Sequence, residues 1–192
     1  MDKIKGITVY CASSNSIGEA YFSAARTLGA LIAKANIPLI TGGGKTGLMG
    51  AVNAGAVEAG GETIGVIPQF MIERGWENRT LSRLEITAGM HPRKEMMAKL
   101  SRAAIALPGG IGTFEELFEI ITWKQLGLYS GNIVILNTLG YYDSLIEMFR
   151  HSIRCGFMKP DHSGLFSVAE TPEDALRLAL EPVVPQTFSP KF

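Results

Sequence analysis

The chain is short of the residues that most often carry specialised chemistry. Only 2 of its 192 residues are cysteine, Cys11 and Cys155, too far apart to form a C-x-x-C pair. With just 3 histidines (His91, His151, His162) scattered along the chain, no ligand cluster at metal spacing exists, and the expectation is a reduced, metal-free protein. Charged residues make up 19% of the chain, too few for a disordered segment and low enough to suggest extensive burial or a subunit interface. The charges also cancel, 18 basic against 18 acidic, which removes any general field for gripping a phosphate backbone and argues against nucleic-acid binding. There is no apolar run of about 18 residues to span a membrane. The start, Met1-Asp2-Lys3-Ile4-Lys5, lacks the pattern of a signal peptide, so a cytoplasmic location is expected.

What is plentiful is glycine, 22 residues, set between short apolar runs. Those runs are Ile7–Tyr10, Ile37–Ile40, Thr63–Ile67, Ala103–Leu107 and Ile133–Leu136. Their apolar character is continuous rather than alternating, as in parallel strands covered on both faces. Helical spacing falls between them, over 18–35, 113–126 and 142–155, with a further helix starting near Met90 and a short one, Pro172–Leu180, that carries proline in its first turn. Such alternation predicts a doubly wound α/β fold, a mostly parallel sheet with helices on both faces, as one domain over 1–192. Residues 68–90 read as an irregular excursion with a strand at Arg83–Thr87, and the three-proline tail 181–192 as extended.

Sheets of this kind bind ligands beyond the carboxyl ends of their strands. Three loops rich in small residues fall there: Cys11–Asn15, Thr41–Gly47 and Pro108–Thr113. Glycine lets the backbone approach a ligand closely, and the free amides of a following helix attract anions, so three such loops at one edge point to a phosphorylated ligand such as a nucleotide. Gly44-Lys45-Thr46 is not a Walker A loop, because Leu39 stands where its first glycine belongs. Lys45 reads as an exposed loop lysine. In the third loop Thr113 and Glu116 have the spacing of a T-x-x-E capping box. Alternatively, Glu116 lies one turn above a phosphate-binding helix start, where a carboxylate would meet the sugar of a bound nucleotide. Arg93 and Lys94 put two cations at a helix N-terminus, against its dipole, which suggests an anion nearby.

P-G-G-x-G-T-x-x-E at Pro108–Glu116 and M-H-x-R-K at Met90–Lys94 resemble the LONELY GUY (LOG) family. The likeness extends to G-G-G-x-x-G-L-M-G at Gly42–Gly50, to Ile121–Gly127 and to Gly156-Phe157, about 175 residues in all. It implies a phosphoribohydrolase that splits the N-glycosidic bond of an adenosine 5′-monophosphate, often N6-substituted as in cytokinin nucleotides, without metal or organic cofactor. Arg93 and Glu116 would be the catalytic pair. Ser14, Gly43, Gly44, Met90, Lys94, Gly109, Gly110, Gly112, Thr113 and Thr122 would touch the substrate or its phosphate. A homodimer is implied as well, to which the apolar residues of the 113–126 helix would also lend themselves. The family often places a substrate-contacting glutamate about seven residues after the third strand's Ile-Pro. Here that position is Gly75, between Glu73 and Glu77. A non-catalytic nucleotide- or cofactor-binding carrier is the competing reading, since it needs the glycines but not both charged residues.

Overall fold

The computed structural model describes residues 5–183, so most of the tail expected to be extended lies outside the described residues. Seven strands and seven α-helices alternate: β1 (Gly6–Tyr10), α1 (Glu19–Lys34), β2 (Leu39–Thr41), α2 (Gly47–Glu58), β3 (Thr63–Pro68), the short α3 (Gln69–Glu73), β4 (Arg83–Thr87), α4 (Met90–Leu100), β5 (Ser101–Ala106), α5 (Ile111–Gln125), β6 (Asn132–Leu136), α6 (Asp143–Arg154), β7 (Ser167–Ala169) and α7 (Pro172–Leu180). The strands form one sheet in the order β4-β3-β2-β1-β5-β6-β7, and every neighbouring pair is parallel. The doubly wound reading therefore holds.

Alternate side chains of each strand enter opposite layers. Ile7, Val9, Leu39, Ile105 and Val134 pack with α1, α2 and α7, while Tyr10, Ile40, Ile64, Val66 and Ile135 pack with α4, α5 and α6. This two-sided burial makes the strand sequences uniformly apolar. A polar strand residue must find a partner inside: Thr8, fully buried, donates to the Met97 carbonyl at 3.0 Å.

Two elements depart from the sequence pattern. Helix α2 occupies a segment in which glycines obscure the periodicity. The glycines are explained by its crossing with α1: a Cβ on Gly55 would stand 2.0 Å from the Arg26 carbonyl oxygen, and one on Gly29 the same distance from that of Val52. The capping box does not form. Helix α5 starts at Ile111 with Gly110 at its N-cap and no side-chain cap, so Thr113 is already inside the first turn. Glu116 is thus not tied to the helix start. The excursion after β3 contains α3, then doubles back so that Glu77 pairs with Gly44 and the Asn78 amide donates to the Gly43 carbonyl at 2.8 Å. Among the described residues no helix is long and apolar enough to cross a membrane.

Candidate active site

The strand order reverses beside β1, with β2 on one side and β5 on the other, and a crevice opens beyond the carboxyl ends there. A cavity of about 650 Å³ fills it. Its walls come from Cys11–Ser14 after β1, Gly42 and Gly44–Thr46 after β2, Ile67 at the end of β3 with Met71 and Trp76 after it, Met90 and Arg93 on α4, and Gly110–Thr113 with Glu116 at the start of α5.

Arg93 and Glu116 face each other in this cavity, Nη1 to Oε1 at 3.6 Å, and both are buried. Main-chain carbonyls pin the guanidinium from behind. Nε donates to Val66 at 2.9 Å and Nη2 to Gly42 at 3.1 Å, which leaves Nη1 toward the carboxyl. A Cβ on Gly42 would lie 1.8 Å from Nη2, so only glycine admits the guanidinium there. Burial pushes the Glu116 carboxyl up to about 7; Arg93 pulls it down, Glu115 raises it, Lys94 lowers it and Glu119 raises it. A carboxyl poised near neutrality in a crevice is equipped for acid–base or charge-stabilising work. One turn earlier on the same helix, the start of α5 lines the cavity, where its first amides have no intrahelical acceptor and make an anion site in the helix dipole.

Of the expected binding residues, Ser14, Gly44, Met90, Gly110, Gly112 and Thr113 line the cavity with Arg93 and Glu116. Gly43 and Gly109 sit behind it in the same loops. Gly43 turns the chain at a φ of 74°, and the Gly109 carbonyl accepts from the Tyr141 hydroxyl at 2.7 Å. Two residues are placed elsewhere. Lys94 turns away and binds Glu115 and Glu119. Thr122 lies farther along α5, where its hydroxyl donates to the Phe118 carbonyl at 2.8 Å and it lines a separate hollow with Phe149 and Phe157. Lys45 does line the cavity, with its ammonium on the Gly75 carbonyl at 2.6 Å. Of the carboxylates flanking Gly75, Glu73 is exposed and accepts from Gln69, whereas Glu77 is buried against the second loop. Its Oε1 accepts from Arg79 at 2.8 Å, and its Oε2 has no hydrogen-bond partner among the described residues.

Several supporting residues escaped the sequence reading. The Gly43 amide donates to the Thr41 hydroxyl at 3.3 Å, that hydroxyl donates to Asn53 Oδ1 at 3.1 Å, and Asn53 Nδ2 reaches the Gly44 carbonyl at 3.5 Å. This buried chain fixes the turn that holds Arg93. Tyr142 likewise ties its hydroxyl to the Leu107 carbonyl at 2.7 Å, under the third loop. An asparagine inside an apolar helix is a signal of such a network; the tyrosine pair carries no local one. Met49, Ile67, Met71 and Trp76 form an apolar wall that only the folded excursion assembles.

Comparison with known proteins bears on this arrangement. The family model described as "Possible lysine decarboxylase" matches residues 49–179. Cytokinin riboside 5′-monophosphate phosphoribohydrolase LOG1 of Arabidopsis thaliana is 40% identical over 184 residues, covering 96% of this chain and 86% of its own. LOG3 of the same plant is 39% identical over 175 residues, covering 91% and 81%. Among solved structures, the Moco carrier protein from Chlamydomonas reinhardtii superposes with a TM-score of 0.70 at 26% identity, covering 91% of this chain and 95% of that one. The molybdenum cofactor binding protein from Rippkaea orientalis superposes at 0.69 with 20% identity, covering 91% and 94%, and so shares the fold. Identity near two-fifths along almost the whole sequence, with both charged motifs meeting in one crevice, places the chain in the LOG family of cytokinin riboside 5′-monophosphate phosphoribohydrolases.

Proposed function

We propose that the chain hydrolyses the N-glycosidic bond of adenosine 5′-monophosphate or an N6-substituted relative, releasing the base and ribose 5-phosphate. The observation that carries this reading is the buried Arg93–Glu116 pair beside the open amides of α5. In this reading the phosphate sits on the amides of Gly110, Gly112 and Thr113, with Ser14 and the second glycine loop opposite. The sugar then extends along α5 toward Glu116. As the bond from C1′ to the base breaks, positive charge gathers on the ribose, and a carboxylate against it stabilises the transition state more than the ground state. Glu116 also orients the water that adds to C1′ and accepts its proton. Arg93, held by Gly42 and Val66, positions the nucleotide and assists the departing base. Because Glu116 works as the carboxylate, turnover rises with pH through about 7.

Incubation with AMP and with N6-isopentenyl-AMP, followed by chromatography of base and ribose 5-phosphate, tests the reading. Glu116→Gln is expected to bind nucleotide but turn over at least about a hundredfold more slowly. Near-wild-type turnover of that variant would remove the assigned role. The second reading, a carrier, draws on the likeness to the Chlamydomonas Moco carrier protein. Measurable nucleotide binding with no hydrolysis after long incubation would favour it.

The lysine decarboxylase description of the family model implies a pyridoxal phosphate site, which needs a Schiff-base lysine and a partner for the ring nitrogen. Among the described residues Lys45 is the one lysine lining the cavity, and its ammonium is engaged by Gly75. The residues do not fit that group. The reading includes a cytoplasmic homodimer that acts on a free nucleotide rather than on nucleic acid.

A further inference from the structure

Lys94 follows Arg93 on α4 yet is excluded from the cavity. It is 7% exposed, and its ammonium lies between the carboxylates of Glu115 and Glu119, the latter at 3.1 Å. Burying a lysine is unfavourable unless its charge is met, and here two acids of the neighbouring helix meet it. Burial alone would push the ammonium down, but its hydrogen bonds to Glu115 and Glu119 outweigh that and hold the proton more firmly than usual.

The placement in sequence matters as much as the contact. Glu115 and Glu119 stand one turn apart on α5 and bracket Glu116 from below and above. Lys94 stands one residue after Arg93, and Glu115 one before Glu116. The backbones of α4 and α5 stay apart, so side chains set how the two helices lie against each other. A single ammonium bound to both acids fixes the register in which Arg93 Nη1 meets Glu116 Oε1 at 3.6 Å.

Charge adds a second effect. The groups acting on Glu116 are Arg93 and Lys94 from α4, and Glu115 and Glu119 from its own helix. From the end of β1 and the loop after it come Tyr10 and Cys11, both kept neutral by burial. Without Lys94, Glu116 would face two uncompensated carboxylates with Arg93 as its sole counterion.

We propose that Lys94 is a positioning residue: clamped by Glu115 and Glu119, it locks α4 against α5 in the register that pairs Arg93 with Glu116, and it shields Glu116 from those two acids. The role of Glu116 in turnover rests on the hydrolase reading of this site; the clamp itself does not. Titration of the ¹³C-labelled glutamate carboxyls by NMR in the ligand-free protein reads the clamp directly, with Glu116→Gln identifying the signal. Lys94→Met is expected to raise the Glu116 midpoint by at least about half a pH unit, Glu119→Gln to lower it, and Lys94→Arg to stay near wild type. The acid limb of the rate of AMP cleavage shifts with it. A Lys94→Met protein that is folded but less stable, with an unmoved midpoint, overturns the proposal. If that variant does not fold, Glu119→Gln decides, since a midpoint that stays put there has the same meaning. Shifted midpoints in a wild type that leaves AMP intact sink the hydrolase reading and leave the clamp standing. Cleavage with unmoved midpoints does the reverse.

Discussion

Glu116 titrates near 7 when folded and near the ordinary carboxylate value when unfolded, so the folded chain is the better proton acceptor between those limits. Stability contributed by the protonated form is complete below about pH 4.5 and is lost as the pH rises through about 7, by on the order of 3 kcal/mol in total. Glutamine has no such proton to lose. Glu116→Gln should therefore match wild type in urea unfolding at pH 5 and exceed it by about 2 kcal/mol at pH 8. Equal stability at both pH values would show that Arg93 compensates the buried charge fully. The same residue also marks where sequence reasoning stops. The two motifs identify Arg93 and Glu116 as partners, but the capping-box spacing of Thr113 and Glu116 offered an equally good local account. The helix begins three residues earlier than that account needs, which depends on how the third loop leaves β5. Lys94 and Thr122 belong to matching motifs yet point elsewhere, since a motif specifies neighbours in sequence and not the direction of a side chain.

Strands buried on both faces advertise themselves by unbroken apolar runs, and five of the seven were legible that way. Strand β4, half-exposed at the sheet edge, was read with the excursion, and β7 is only 3 residues long. Helix α2 was hidden because its periodicity is traded for close approach. Its glycines lower intrinsic helix propensity, by about 1 kcal/mol each relative to alanine. In isolation Gly55→Ala should thus favour the helix. In the folded chain the added methyl would meet the Arg26 carbonyl at 2.0 Å, and the two helices must separate to admit it. Overpacking of this kind costs about 1–3 kcal/mol and exceeds the propensity gain. The expected outcome is a lowered melting temperature, by about 2–4 °C for each net kcal/mol in a chain of this length. A raised value would mean that α1 and α2 move apart freely. The same displacement shifts Asn53, two residues before Gly55 and in contact with the glycine turn, so nucleotide affinity should fall with stability.

At the scale of the molecule, the apolar surface is unevenly distributed. Phe157 is 87% exposed, Leu128 72% and Met148 58%, and they cluster around the end of α5 and the outer side of α6. Phe157 and Met148, with Phe118 and Thr122, border a hollow of about 450 Å³ that shares no lining residue with the Arg93–Glu116 cavity. Isolated exposed apolar residues are ordinary, but a contiguous group beside a hollow is the mark of an interaction surface. It also gives the low charge content of the chain a location, since an interface between copies needs few charges. The homodimer in the proposed function is therefore expected to use this face. Paired substitution of Phe157→Glu and Met148→Glu would set like charges against each other across such an interface, and light scattering should then fall from about twice 20.7 kDa to the mass of one chain. A wild type that scatters as a single chain removes the dimer. A variant that stays dimeric moves the interface to another face and leaves this one without an assigned partner.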